Sequence, residues 1–96
     1  MGNIKFAWDP RKARSNLAKH DVSFEEAQSV FFDERARLMD DPDHSESEDR
    51  FVLLGYSIKA KCLVVSHCYR ASDSVIRLIS ARRATAREET VYWSSR

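Results

Sequence analysis

The amino-acid sequence predicts an α+β domain in which helices pack on an antiparallel sheet. Residues 50–82 contain three runs rich in β-branched and aromatic residues, joined by short polar connections, which is typical of an antiparallel meander. Three other segments begin with residues that cap helices: Asp9 before Pro10, "SFEE" from Ser23 and "TAREE" from Thr85. Helices on both sides of a block of strands are typical of an α+β fold.

The N-terminal part of the chain predicts one strand and two helices. The apolar side chains of "IKFAW" alternate and indicate a short strand. The Asp9 carboxylate then starts a helix that is predicted to run to about His20. Ser23 and Glu26 form a capping box, which predicts a second helix over residues 24–32. After a brief strand, "DDPDHSESED" carries too little apolar surface for a core and predicts an acidic loop.

Three strands and a helix are predicted in the C-terminal part. The strands are "RFVLLGYS", "KCLVVSHCYR" and "SVIRLISAR", and the helix is "TAREETVYWSS" with a second capping box formed by Thr85 and Glu88. A period of two places Arg77 on the same side of the third strand as Ile79, and Arg82 on the opposite side. We expect all the helices to pack on one face of the sheet.

Length and composition limit the possible classes of protein. With 96 residues, of which 43% are hydrophobic, residues 1–96 are expected to form a single domain with one modest core. The apolar runs are too short to cross a bilayer and the N-terminus lacks the apolar core of a signal peptide, so we expect a cytoplasmic protein with no membrane partner. Cys62 and Cys68 are too far apart along one strand to bridge, and are expected to be buried thiols.

The net charge of +1 hides an uneven distribution. Residues 1–32 contain five Lys and Arg against four Asp and Glu, residues 33–49 contain two against eight, and residues 50–96 contain nine against three. The cationic C-terminal half could bind a polyanion such as RNA. Charge asymmetry of this size also occurs on ordinary solvated surfaces, so both interpretations stay open at this stage.

Three arginines in and just after the third strand are candidate anion ligands. Arg77 lies in the middle of the strand, where a charge needs a partner: it either lines an open anion-binding face or pairs with a nearby acid. Arg82 and Arg83 precede a helix N-terminus, where guanidinium groups and free amides make a phosphate site. Adjacent strand residues point in opposite directions, so only one of the two is expected to reach that site. The alternative is that this residue is a solvated arginine whose stem covers apolar surface.

Other polar residues could take part in acid–base chemistry. His67 could be a general acid or base if it lies on the open face, or a hydrogen-bonded structural residue if it does not, and Arg70 at the strand end could hold a phosphate oxygen. Glu88 is a capping carboxylate and also a possible base. The spacing of the three histidines and two cysteines does not predict a metal site, and no cofactor is predicted.

Four segments resemble the BrnT family of ribonuclease toxins from bacterial toxin–antitoxin systems. They are "WDPRKARSNLAKHDVSFEEAQSVFFD", "DPDHSESEDRFVLLGYS", "LVVSHCYR" and "IRLISARRATAREETVYW", which together cover nearly the whole chain. The most specific pieces are the Trp-Asp strand end with the lysines, asparagine and histidine that follow it, and the arginine-rich strand-to-helix segment. One departure is Asp21, where the family usually has a glycine that ends the first helix in a left-handed turn.

The resemblance implies a RelE-like fold and a ribonuclease that needs no bound metal, inhibits translation and growth, and is neutralised by a cognate antitoxin. The implied antitoxin is a dimerising ribbon–helix–helix protein, similar to BrnA, through which alone the complex would contact operator DNA. For such a ribonuclease, the catalytic candidates in this sequence are Arg77, His67, Arg82, Arg70 and Glu88, and the RNA-binding candidates are Arg83, Lys12 and Tyr92. The alternatives are a non-catalytic module that binds RNA or protein, and a pure interaction protein.

Overall fold

The helices and strands follow one another in the predicted order in a computed structural model, which describes residues 4–41, 50–70, 72 and 74–94. The elements are β1 Lys5–Ala7, α1 Pro10–His20, α2 Phe24–Ser29, β2 Arg37–Asp40, β3 Arg50–Tyr56, β4 Cys62–Arg70, β5 Val75–Arg83 and α3 Ala86–Trp93. A 3₁₀ turn, Val30–Phe32, extends α2. Most of the predicted acidic loop lies outside the described residues. None of the described helices has the length and apolar character needed to cross a membrane.

The two caps of α1 are both aspartates. Asp9 accepts a hydrogen bond from the backbone N–H of Arg11 at 2.9 Å, as the sequence predicts. At the other end, Asp21 adopts the left-handed conformation, with φ 57° and ψ 35°, and its N–H donates to the carbonyl of Leu17. Asp21 therefore ends the helix in the turn that a glycine would adopt at lower conformational cost.

The two predicted capping boxes differ in the structure. At α3, the Thr85 hydroxyl accepts from the N–H of Glu88, and the Glu88 carboxylate accepts from the N–H of Thr85 at 2.8 Å. At α2, Ser23 accepts from the N–H of Glu26, but the Glu26 carboxylate accepts instead from the hydroxyl of Ser57 at 2.7 Å. The box at α2 is thus half formed, because the tertiary contact replaces the local one.

The sheet has five strands in the order β1-β5-β4-β3-β2. Strands β2 to β5 form the predicted antiparallel meander, whereas β1 pairs with β5 in parallel through Lys5 and Val75, Phe6 and Ile76, and Ala7 and Arg77. The sheet is therefore mixed rather than wholly antiparallel. Because two helices separate β1 from the meander, no hairpin fixes its direction. The α+β class itself is confirmed.

Helices cover both faces of this sheet, which corrects the prediction of a single covered face. Leu63, Val65 and neighbouring residues pack against α1 and α2, and we call this side the α1/α2 face. The alternate residues of β4, including Val64, point to the opposite side, where Tyr92 of α3 packs against them. We call that side the α3 face. The third helix reaches it because α3 follows β5 directly and presents a buried tyrosine.

A β-bulge interrupts the pairing of β4 with β5. Ser66 lies opposite Ser80, but the next residue, His67, lies opposite Leu78, so Ile79 is an extra residue in β5. As a result, the alternation of side chains is offset by one at this point. Because of the bulge, residues of β5 after Ile79 point to the face opposite to the one that a period of two predicts.

Asn16 closes the edge of β5 that β1 does not cover. Its side chain is 6% exposed, and it exchanges two hydrogen bonds with the backbone of Ala81, donating to the carbonyl at 2.8 Å and accepting from the N–H at 2.9 Å. The same amide nitrogen donates to the carbonyl of Val22 at 2.9 Å. Asn16 therefore takes the place of a neighbouring strand and fixes α1 against the sheet edge.

Candidate functional site

One end of the α3 face carries a cation from each of four strands. Lys5 of β1 and Arg70 of β4 both lie beside Val75, and Arg50 of β3 and Arg77 of β5 both lie opposite Cys68. Because residues paired across strands share a face, all four cations belong to the α3 face. We call this group, Lys5, Arg50, Arg70 and Arg77, the cationic end.

An open depression of about 420 Å³ lies at the cationic end, lined by Ala7, Arg70, Val75 and Arg77. Arg77 is half-buried, and it forms no hydrogen bond or ion pair with any residue that the structure describes. The alternative in which Arg77 pairs with an acid near the sheet is therefore not found in the described part of the chain. A partly desolvated guanidinium facing an open depression is suited to binding an anion.

The bulge at Ile79 places Arg82 on the same face as Arg77, contrary to the prediction that they lie on opposite faces. Arg82 lies opposite Val64, whereas Arg77 lies opposite Cys68, which is four residues further along β4. Arg82 is therefore at the other end of the α3 face, beside the start of α3. The two arginines share a face but differ in what they contact.

Arg82 forms a two-bond ion pair with Glu88. Its two terminal nitrogens lie 2.9 and 2.8 Å from the two carboxylate oxygens. This hydrogen bonding lowers the pKa of Glu88 to about 2, and the Thr85 N–H assists. Since the carboxylate caps α3 and keeps its charge at neutral pH, the geometry supports the capping role of Glu88 and makes it a weak base.

His67 lies on the α1/α2 face and is fully buried, so the structure does not bring it together with Arg77. Its ring packs edge-on against Phe31 and Tyr69. One ring nitrogen lies 3.1 Å from the Val65 carbonyl and the other 3.3 Å from the Tyr69 hydroxyl. Burial lowers the pKa of His67 and favours the neutral ring. Of the two alternatives for this residue, the geometry supports the structural one.

The three RNA-binding candidates lie in different places. Arg83 is exposed and lies opposite Leu63, which belongs to the α1/α2 face. Tyr92 is 3% exposed, and its hydroxyl donates to Asp33 at 2.7 Å, so it is part of the packing under α3. Lys12 is exposed on α1, at the edge of the sheet. The structure therefore does not gather these three residues into one surface.

Two cations of the cationic end, Lys5 and Arg50, are absent from the sequence-based candidates. Lys5 is the second residue of the predicted strand "IKFAW" and Arg50 is the first of "RFVLLGYS". Only the pairing of these strands with their neighbours shows which side chains share the site with Arg77. Strand order and register are tertiary information that no local pattern contains. Within the described ranges, no group of His, Cys, Asp and Glu side chains is arranged to hold a metal ion.

Comparison with known proteins agrees with the fold. The profile of the family described as "Ribonuclease toxin, BrnT, of type II toxin-antitoxin system" matches residues 8–88. No curated protein sequence matches the chain. Among solved structures, the chain is similar to the 1.1 Å crystal structure of the Brucella abortus ribonuclease toxin BrnT, with a TM-score of 0.66 and 20% identity over 86% of this chain and 99% of that chain. At this identity the structural likeness concerns the fold alone.

Proposed function

Because this chain belongs to the BrnT family of ribonuclease toxins of type II toxin–antitoxin systems, we propose that it cleaves RNA in the cytoplasm without a bound metal and that the cationic end is its active site. The observation that carries the proposal is Arg77, a half-buried strand arginine without a partner among the described residues, facing an open depression. Retaining such a charge is costly unless an external anion is its partner.

In the proposed reaction, the ribose 2′-oxygen forms a bond to the adjacent phosphorus and gives its proton to solvent. The bond from phosphorus to the 5′-oxygen of the next nucleotide breaks, and that oxygen takes a proton from solvent. Negative charge builds up on the phosphate oxygens in the transition state, and fixed cations lower the barrier where that charge develops. Arg77 can donate two N–H bonds to one phosphate, and Arg70 lines the same depression. Arginine keeps its proton at neutral pH, so both residues act as electrostatic stabilisers rather than as bases.

A type II toxin has an antitoxin partner, and we propose that the antitoxin covers the cationic end. An acidic or amphipathic segment would pair with Arg77 and exclude RNA from the same surface. We further propose that this partner is a dimerising ribbon–helix–helix protein and that the toxin contacts operator DNA only through it. Free toxin would then cut RNA and inhibit translation and growth.

The proposal is tested by inducing the wild type, Arg77→Ala and Arg14→Ala in bacteria, and by following growth and total RNA. Arg14 is an exposed arginine of α1 outside the cationic end, so it controls for loss of one positive charge. We expect the wild type and Arg14→Ala to arrest growth and degrade RNA. Arg77→Ala should cleave purified RNA roughly 100-fold or more slowly, the usual cost of removing one transition-state donor.

Three outcomes would contradict parts of this proposal, provided that each protein has an unchanged thermal unfolding midpoint. Loss of wild-type cleavage in EDTA would show that a metal is required. Full activity of Arg77→Ala would show that the active site is not at the cationic end. A wild type that binds RNA and never cuts it would favour the alternative function, a non-catalytic RNA- or protein-binding module.

A further inference from the structure

A second depression lies between α1 and β5, and its lining is rich in groups that bind anions. Its volume is about 150 Å³. The residues that line it are Lys12, Ser15, Asn16, Lys19, His20, Ile79 and Ser80. We call this depression the edge groove, because it lies where the edge of β5 has no neighbouring strand.

The bulge and a short β1 together create the edge groove. Strand β1 pairs with β5 only as far as Arg77, so the edge beyond that residue faces α1 instead of a strand. The bulged residue Ile79 lies at this point and lines the groove with Ser80. Asn16, which also lines the groove, holds α1 against the edge of β5 through its bonds to Ala81.

The two lysines of the edge groove have no acidic partner in the described part of the chain. Lys12 and Lys19 are exposed, and neither forms an ion pair or hydrogen bond with any residue in the described part of the chain. The α1 sequence, residues 10–20, contains no Asp or Glu. The hydroxyls of Ser15 and Ser80 add neutral hydrogen-bond donors. A lining of this kind favours phosphate oxygens over any cationic or apolar ligand.

The edge groove and the cationic end are both lined by residues of β5. Ser80 and Arg77 lie on the same face, opposite Ser66 and Cys68, which are two residues apart in β4. This places them roughly 7 Å apart along the strands, close to the separation of consecutive phosphates in one nucleic-acid strand. A strand bound at Arg77 can therefore reach the groove without leaving the protein surface.

We infer that the edge groove is a second phosphate subsite, in which Lys12 and Lys19 hold the RNA backbone next to the phosphate held by Arg77. This inference rests on the proposed function, because it takes RNA as the ligand. The subsite positions the substrate and takes no part in bond cleavage. Its contribution is electrostatic and independent of base sequence, since phosphate contacts carry no sequence information.

Binding of a fluorescein-labelled 2′-O-methyl oligoribonucleotide, whose nucleophile is blocked, tests the inference without interference from cleavage. Fluorescence anisotropy is measured across a salt series for two double variants, Lys12→Gln with Lys19→Gln and Arg11→Gln with Arg14→Gln. Both remove two charges from α1, but Arg11 and Arg14 do not line the groove. We expect the lysine variant to bind about tenfold more weakly, and its salt slope to fall by roughly 0.7 for each phosphate that the protein no longer neutralises.

The controls separate failure of the inference from failure of the proposed function. If the wild type binds and the lysine variant keeps its affinity and salt slope, the edge groove is not a subsite. If the arginine variant weakens binding as much as the lysine variant, the effect is one of net charge and the inference is overturned. If Arg77→Ala binds and cleaves like the wild type, the proposed active site fails, whatever the two double variants do.

Discussion

His67 and Arg77 lie on opposite faces of the sheet and differ in burial and in hydrogen bonding, although both faces are built from β4 and β5. On the α1/α2 face, His67 is fully buried, its pKa is lowered, and both ring nitrogens are close to protein oxygens. On the α3 face, Arg77 is half-buried beside an open depression, without a partner among the described residues. At these two positions, the α1/α2 face favours a neutral ring, and the α3 face leaves a charged group beside open space.

This difference shows that the role of a residue in this fold depends on its face more than on its chemistry. By residue type, His67 is the stronger candidate for acid–base catalysis, because histidine titrates near neutrality. By position, it is a core residue. A guanidinium is poorly suited to acid–base catalysis, yet Arg77 is the residue that we propose to contact an RNA phosphate.

Exchanging Arg77 and Leu78 should have the largest effect, because it moves each side chain to the opposite face of the sheet. The double variant Arg77→Leu/Leu78→Arg keeps the composition but moves a guanidinium into the apolar α1/α2 face, where Leu78 is 1% exposed. Loss of the leucine alone costs about 2–5 kcal/mol, and an unpaired buried charge adds to it, which approaches the total stability of a small domain.

We therefore expect the exchanged protein to lack a cooperative thermal transition by circular dichroism. The single variant Arg77→Leu is the matched control and should unfold near the wild-type temperature while losing RNA cleavage. A cooperative transition of the exchanged protein near that temperature would show that the α1/α2 face tolerates charge, and the contrast between the faces would disappear.

Replacing His67 should affect stability and leave chemistry intact. His67→Ala removes a buried ring from among Phe31, Phe51 and Tyr69, and such a cavity costs roughly 2–4 kcal/mol. Urea unfolding measures the loss of stability. RNA cleavage per folded molecule, measured at low temperature where the variant is folded, should stay within a few-fold of wild type. A loss comparable to that of Arg77→Ala would restore a catalytic role to His67.

The sequence predicts the order of elements well, because the relevant information is local. The Asp9 and Thr85 caps and the alternating runs from Arg50 onward determine where α1, α3 and the strands begin, and each involves residues within a few positions of one another. The capping role of Glu88 could be foreseen for the same reason. These features do not depend on which element packs against which.

The site is less predictable, because it depends on pairing between distant segments. One extra residue, Ile79, changes which side chains share a face with Arg77, and a period of two cannot show where a bulge lies. Only register brings Arg50 beside the same residue of β4 as Arg77. Likewise, His67 is directed inward by an apolar face that α1 and α2 complete, and its own neighbours in sequence do not distinguish the two faces.

Asn16 caps the free edge of β5, and its removal should have an intermediate effect on the free energy of unfolding. Asn16→Ala leaves the N–H and carbonyl of Ala81 and the carbonyl of Val22 without their side-chain partner. Unsatisfied buried backbone groups of this kind cost about 1–3 kcal/mol, so we expect a loss of about 2 kcal/mol in urea unfolding. Ser15→Ala, on the exposed side of the same helix, should change stability by less than about 0.5 kcal/mol. Equal losses in the two variants would contradict the edge-closing role.

The smallest effect concerns the ion pair at the far end of the α3 face. Because the pKa of Glu88 is lowered to about 2 from 4.5, the folded protein binds this proton less tightly than the unfolded chain. The carboxylate therefore contributes stability that is fully present above about pH 4.5 and is lost as the pH falls toward 2. Allowing for solvent exposure, Glu88→Gln should lower the free energy of unfolding by about 1 kcal/mol at neutral pH. The difference from wild type should shrink in urea titrations at about pH 3.

Glu88→Gln also separates the two arginines of the α3 face by function. Glutamine can still accept from the N–H of Thr85, so the helix cap is kept while Arg82 loses its charged partner. We expect RNA cleavage to be retained and binding of the 2′-O-methyl oligoribonucleotide to become equal or slightly tighter, since one negative charge is removed and one guanidinium is released. Loss of cleavage in a folded Glu88→Gln protein would instead identify Glu88 as a general base, and the active site would then extend across the face to α3. Retained cleavage leaves Arg77 as the arginine whose charge is directed outward and Arg82 as the one whose charge is used within the fold.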